Sequence, residues 1–306
     1  MNDQSSWWQM KPPPAIISMF LGDELGAIVD ALISGEEYHS AEAVAMDLGV
    51  AVLPKFLKDN TDRNRTSPFA FTGNKFEFRM PGSDVNLADC NMILNTAMAK
   101  GLKDFADAMG DVEGAEFEKK AIKYIKKTLT DHQRIIFNGN GYSEEWEKEA
   151  ERRGLANNRN TAEALPCYVS QKSLDLFAEF DVLTEAEVRS RYEVKLEKYN
   201  KLLNIEARVM IRMARRTYLP AISDYMAELA SNITTVKAAL SGADMTEHEK
   251  LLNIILSGFN RAADCVRTLV KLHDATEAIE DPQEQANAYA EKVIPAMELC
   301  VKKSTI

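Results

Sequence analysis

Two periods divide the chain. From Lys75 to Arg79 charged and aromatic residues alternate, with Lys75, Glu77 and Arg79 on one face of an extended strand and Phe76 and Phe78 on the other. This predicts a strand with an aromatic core face and a charged face. Upstream, Pro12, Pro13 and Pro14 force an extended entry, because proline fixes φ and restricts the residue before it. Ala15 to Phe20 then reads as a buried apolar strand. Gly22 to Ser34 places Leu25, Ile28, Val29 and Leu32 on one helix face, with Gly35 as its stop. Residues 36–60 hold the run AVAMDLGVAVLP, compatible with a strand or a short helix and ended by Pro54. Gly73-Asn74 predicts the turn that joins a strand pair.

From Asn86 the period becomes helical and stays so. Leu87, Ile93, Leu94, Ala97, Met98 and Leu102 line one helix, and Phe117 to Leu129 forms a second with lysines toward its end. His132 to Phe137 is a short segment closed by Asn138-Gly139-Asn140-Gly141, and Ser143 caps the helix that begins with Glu144, Glu145 and Trp146. Pro166 interrupts Ala162 to Phe180. The capping box Thr184-Glu187 opens the longest periodic region, read as one helix kinked at Pro220. Further helices are expected over Thr246 to Ala275 and Pro282 to Val301. The fold class that follows is α+β, a small sheet and then a mostly α-helical bundle.

Composition narrows the functions. A chain of 306 residues with 45% hydrophobic and 27% charged residues can bury a sizeable core. A net charge of -10 without basic runs disfavours nucleic acid or an anionic membrane as partner. Cys90, Cys167, Cys265 and Cys300 are far apart, with neither CxxC pairs nor ligand spacing, and read as reduced thiols. No apolar run reaches the roughly 20 residues of a membrane span, and the N-terminus lacks a signal pattern, so the cytoplasm is the expected location.

The wording around the alternating strand carries a resemblance. The run NRTSPFAFTGNKFEFRMPGS, followed by NLADCNMILNT, resembles the late catalytic segment of the glutamine synthetases, where an Asn-Arg-Ser/Thr turn leads to a Glu-x-Arg strand. PPAIISMFLGDEL, RIIFNGNGYSEEW and SRYEVKLEKYNKLLNIEA resemble the long, type III branch of the same family, so the likeness spans most of the chain from Pro12 onward. It implies three parts: a non-family leader over 1–11, the C-terminal part of the catalytic domain over 12–110, with a partial antiparallel sheet, and a helical region over 111–306. It also implies ATP-dependent formation of glutamine from glutamate and ammonia through an acyl phosphate, with Mg2+ or Mn2+, in a protein that is a homo-oligomer when complete.

The resemblance assigns residues. Glu77 matches a strand glutamate that binds a divalent metal, for which hard carboxylate oxygens are suited. Arg79 matches an arginine that contacts the phosphoryl group or substrate carboxylate, and Arg65 one that follows Asn in the family turn and contacts phosphate or substrate. Asp62, Arg63 and Asn64 shape that turn. Beside this stands a plainer reading, in which Lys75, Glu77 and Arg79 form weak ion pairs on a solvated face and Arg65 makes a structural ion pair. Two departures bear on it. Lys11 stands where the family has an acidic residue, after a leader lacking the expected His and Gly-rich acidic run. Phe69 to Phe71 occupy the place where shorter family members have a further arginine. The family's other metal ligands are expected upstream of Pro12, so the isolated chain is expected to lack turnover. The alternative is a non-catalytic remnant or assembly piece. His132, His248 and His273 show no ligand spacing and read as surface or satisfied core positions, His39 falls in a polar turn, and Lys126-Lys127, Arg152-Arg153 and Arg215-Arg216 read as solvated or subunit-contact pairs.

Overall fold

A computed structural model describes residues 16–36, 45–46, 56–57, 68–72, 75–79 and 86–304. Its chain forms two compact units, one over 1–159 and 179–182, the other over 160–178 and 183–306.

In the first unit, β1 (Met19–Phe20) is followed by α1 (Asp23–Ser34), β2 (Ala45–Met46), β3 (Phe56–Leu57), β4 (Phe69–Phe71) and β5 (Phe76–Phe78). The helix α1 ends as expected: Gly35 takes φ 84° and returns its N–H to the Ala31 carbonyl, a left-handed cap that glycine adopts without strain. The sheet differs from expectation. It is mixed, in the order β1-β4-β5, with β1 parallel to β4 and β4 antiparallel to β5, and β2 with β3 forms a separate antiparallel pair. The strand expected over Ala15 to Phe20 shortens to Met19–Phe20, because only this stretch meets β4, while Ile17 turns outward.

The unit continues through α2 (Leu87–Met109), α3 (Gly114–His132), a tight turn at Gln133–Ile135 and α4 (Glu144–Arg152). Asn86 caps α2 by accepting the Ala88 N–H, and Phe105 packs edge-on against Phe117 and Tyr124 to hold α2 to α3.

What anchors β1 comes from far along the chain. The Phe137 N–H donates to the Met19 carbonyl at 3.0 Å. Asn138 Oδ1 accepts the backbone N–H groups of Leu21 (3.0 Å) and Gly22 (3.3 Å), and its Nδ2 donates to the Gly22 carbonyl at 3.3 Å. A Cβ at Gly26 would lie 2.8 Å from that Nδ2, so a larger residue there would push the Asn138 side chain off its present bonds. Trp146 is fully buried, donates its indole N–H to the Ile16 carbonyl at 3.2 Å and stacks on Phe137 at 4.1 Å. Arg153 lies over both rings and donates to the Ile136 carbonyl at 2.8 Å. Glu149 bonds to Arg152 and Arg153 and so remains ionised far below the usual carboxylate range, at a pKa of about 2.

The second unit is helical: α5 (Thr161–Ala164), a 3-10 turn at Leu165–Val169, α6 (Gln171–Glu179, whose last residue counts with the first unit), α7 (Glu185–Met213), α8 (Leu219–Ala239), α9 (Thr246–Glu277), α10 (Pro282–Ala288) and α11 (Ile294–Ser304). The expected capping box is present, with Thr184 Oγ1 accepting from the Glu187 N–H and Glu187 accepting from the Thr184 N–H. Wide π turns at Ala214–Tyr218 and Tyr289–Val293 precede Pro220 and Pro295. Proline cannot donate to the carbonyl a turn earlier, and a widened turn absorbs the misfit while the helix continues. The core is a stripe of Leu203, Ala207, Cys265, Leu269, Tyr289, Val293, Ala296, Met297 and Cys300. A second cluster, Leu229, Ile233, Met245 and Ile255, ties α8 to α9. No helix among the described residues is long and apolar enough to cross a membrane.

Candidate functional site

The charged face of β5 is built outward from the anchors of β1. Through its parallel pairing with β4 and the antiparallel register Phe69 with Phe78, Ala70 with Glu77 and Phe71 with Phe76, the sheet fixes where Glu77 points. Beside Glu77 on the same face lies Ala70, which is buried. The backbone N–H of Arg79 donates to the Pro68 carbonyl at 2.8 Å, holding the strand exit.

Side chains form the expected ladder. Arg79 donates through Nε (3.3 Å) and Nη2 (3.1 Å) to Glu77 Oε2, and Lys75 Nζ lies 3.5 Å from Glu77 Oε1. The Arg79 bond first, and the charges of Lys75 and Arg79 with it, hold the Glu77 carboxyl below its ordinary pKa despite an opposing contribution from desolvation. Exposure runs 65%, 39% and 24% from Lys75 through Glu77 to Arg79, so the ladder descends into the protein. At its buried end Arg79 Nη1 is shut off from solvent and has no hydrogen-bond partner among the described residues.

The aromatic face departs from the sequence expectation. Phe76 is 39% exposed, and Phe69, Phe71 and Phe78 are half-buried. Phe76 stacks on Phe69 and packs against Phe71, each with centroids 5.2 Å apart. The phenyl rings therefore cover one another across the strand pair, and the deeply buried residues there are Pro68 and Ala70. Arg65, the Asp62-Arg63-Asn64 turn and Gly73-Asn74 lie outside the described residues, although Thr72 and Lys75 flank the turn position, with the Thr72 N–H donating to the Lys75 carbonyl at 2.9 Å.

As a metal ligand Glu77 offers one ionised, half-exposed carboxylate, which suits a single position on Mg2+ or Mn2+. No group of three potential ligands among the described residues includes it. Sequence reading missed the residues that position this wall. Asn138 and Trp146 were legible only as turn and helix-start residues, whereas the structure uses them to hold β1, so that Ile16, Leu21 and Gly22 are packed and bonded against Phe137, Asn138 and Trp146.

The sheet, its charged wall and the helical unit define an α+β protein of the kind the sequence resembles, and comparison with known proteins identifies it further. The family model described as the glutamine synthetase C-terminal domain matches residues 120–237. The chain is 35% identical over 290 residues to the type-3 glutamine synthetase of Dictyostelium discoideum, an alignment covering 93% of this chain and 40% of that protein. It is 36% identical over 290 residues to a glutamine synthetase of Butyrivibrio fibrisolvens, with 94% and 41% covered, and 35% identical over 297 residues to one from Bacteroides fragilis, with 94% and 40% covered. The chain is thus similar to glutamine synthetases over 93–94% of its length. It spans about 40% of the length of the curated relatives it matches.

Proposed function

We propose that the chain supplies one wall of a site for ATP-dependent formation of glutamine, in which the γ-phosphoryl group passes from ATP to the side-chain carboxylate of glutamate and ammonia then displaces phosphate from the acyl phosphate. The observation that carries this reading is Arg79. Its guanidinium is pinned through Nε and Nη2 to Glu77, while Nη1 is buried without a partner among the described residues. Buried N–H groups are almost always satisfied, so an orphaned one on a pre-oriented fork is suited to a phosphoryl or carboxylate oxygen supplied by a ligand. Glu77 holds Arg79 in place and presents its outer oxygen as a ligand for Mg2+ or Mn2+. When bound, such an ion neutralises phosphate charge and orients the transferring group. Arg65 is assigned a second contact of the same class.

A second reading, an assembly piece, is favoured by a different observation. Val194, Leu202, Ile205, Val209 and Met213 form one exposed apolar stripe along α7, the kind of surface a partner covers.

The test is a calorimetric titration of the chain with Mn2+-ATP, beside a steady-state assay with glutamate, ammonia, ATP and Mg2+. Glu77→Gln and Arg79→Gln are expected to weaken binding by about tenfold or more, the scale of a lost charge-assisted contact. Binding unchanged in both variants overturns the proposal. Turnover by the chain itself, abolished in Glu77→Gln, makes it an enzyme in its own right. Binding without turnover leaves it the supplier of one wall.

A further inference from the structure

The helical unit carries a cluster of potential ligands at the C-terminal end of α9, where a histidine without ligand spacing had promised a surface or satisfied core position. His273 is 3% exposed, and its Nε2 lies 3.1 Å from Asn204 Oδ1 on α7. The direction of that bond is fixed by chemistry. Asn204 Nδ2 donates to Glu277 Oε1 at 3.0 Å, and a carboxylate can only accept, so the Asn204 oxygen must face the ring and Nε2 must carry a proton. The other ring nitrogen, Nδ1, faces Asp274 Oδ1 at 3.3 Å, again an oxygen that only accepts. In the neutral ring this sets a lone pair against a carboxylate, an arrangement that calls for a cation between them.

Three further observations point to a metal ion as that cation. A ligand atom from each of His273, Asp274 and Glu277 lies within 4.8 Å of the others, a spread that modest side-chain rotation closes to the ~2.0–2.2 Å bonds of a first-row dication. A ring N–H donated to an amide oxygen is the outer-shell contact that orients a metal-binding imidazole and leaves its second nitrogen free to ligate. The cluster also ends a 32-residue helix whose last turn contains no basic residue, so the negative end of the helix dipole lacks a cationic side chain there. The field is felt nearby: burial first, and then the charge of Glu277, raise the pKa of the Tyr289 phenol. Arg208, 4.0 Å from Glu277 and mostly exposed, is the cation recorded beside it.

We infer that His273 Nδ1, the Asp274 carboxylate and Glu277 form a divalent-cation site of the mixed nitrogen and oxygen kind that Zn2+ or Co2+ occupies, with water completing the shell and Asn204 orienting the imidazole. The site joins α7 to α9 and is independent of the reading of Glu77.

The experiment is a titration of the reduced, full chain with Co2+ followed by displacement with Zn2+, read by visible absorption and calorimetry. The expected result is saturable uptake with ligand-field bands and no thiolate charge transfer. Asp274→Asn should weaken uptake by about tenfold or more, and His273→Gln should abolish it. Asp274 is 70% exposed, so its variant keeps the fold even where His273→Gln does not, and circular dichroism verifies this. Three results overturn the assignment. Uptake unchanged in Asp274→Asn removes the site. A thiolate band gives the metal to cysteines such as Cys265 and Cys300. No saturable uptake leaves a proton on Nδ1 as the cation.

Discussion

The two units hold their shapes in different ways. In the helical unit, α7 and α9 run for 29 and 32 residues, satisfy their backbone groups internally and are locked by a continuous apolar stripe centred on Leu269 and Tyr289. In the sheet unit, the described strands are two or three residues long, too short to stand alone, and β1 is held by side chains more than a hundred positions away. Helical order here is spread over many contacts, whereas the placement of the Glu77 wall depends on a few. A single substitution should therefore do most damage in the sheet unit at an anchor, and in the helical unit at the middle of the stripe.

Trp146→Ala should break the comparison most sharply. It removes the buried indole, its stack on Phe137 and its bond to the Ile16 carbonyl, for an expected loss of about 3–5 kcal/mol in urea unfolding followed by circular dichroism. Leu269→Ala tests the other side. A fully buried leucine at the centre of the stripe should cost about 3 kcal/mol, while the anchors of β1 keep their hydrogen-exchange protection. Asn138→Ala should cost about 1–2 kcal/mol, because it leaves the N–H groups of Leu21 and Gly22 without their acceptor. Its exchange signature should be confined to the residues around β1.

The smallest effect is read as a slope against pH. Glu149 titrates near 2 in the folded chain because Arg152 and then Arg153 bond to it, against an ordinary value of 4.5. A depressed carboxyl contributes stability that is complete above pH 4.5 and lost as pH falls toward 2. Glu149→Gln should flatten the acid limb over that window and change little at neutral pH. An unchanged acid limb would remove Glu149 from the anchor.

How much of this was legible in the sequence follows from the same contrast. The helices could be read because their signals are local: the 3.6-residue period, the Thr184-Glu187 box, Asn86 and Ser143 at helix starts, Gly35 at an end. The ladder of Lys75, Glu77 and Arg79 was legible for the same reason, since alternation alone puts three residues on one strand face. The parallel pairing of β1 with β4 was not, because it joins positions about fifty residues apart and leaves no periodic trace. The aromatic face misled for a related reason: alternation tells which residues share a face, and burial of that face depends on what packs over it. His273 was passed over because ligand spacing was sought along the chain, while the contact that orients its ring comes from Asn204 on another helix. The π turns before Pro220 and Pro295 were not legible, because a widened turn that absorbs a proline later in the helix leaves no periodic trace.

The central claim is that Glu77 and Arg79 form a wall for a ligand and contribute little to holding the sheet. Urea unfolding of the wild-type chain, Glu77→Gln and Arg79→Gln, each with and without Mn2+-ATP, tests it in one data set, because a ligand that binds only the folded state raises the midpoint by mass action. The account predicts that both variants unfold at the wild-type midpoint when free of ligand and lose the upward shift that Mn2+-ATP gives the wild type. A midpoint that falls sharply without ligand, together with an undiminished shift when ligand is added, would make the pair a structural element and contradict the account.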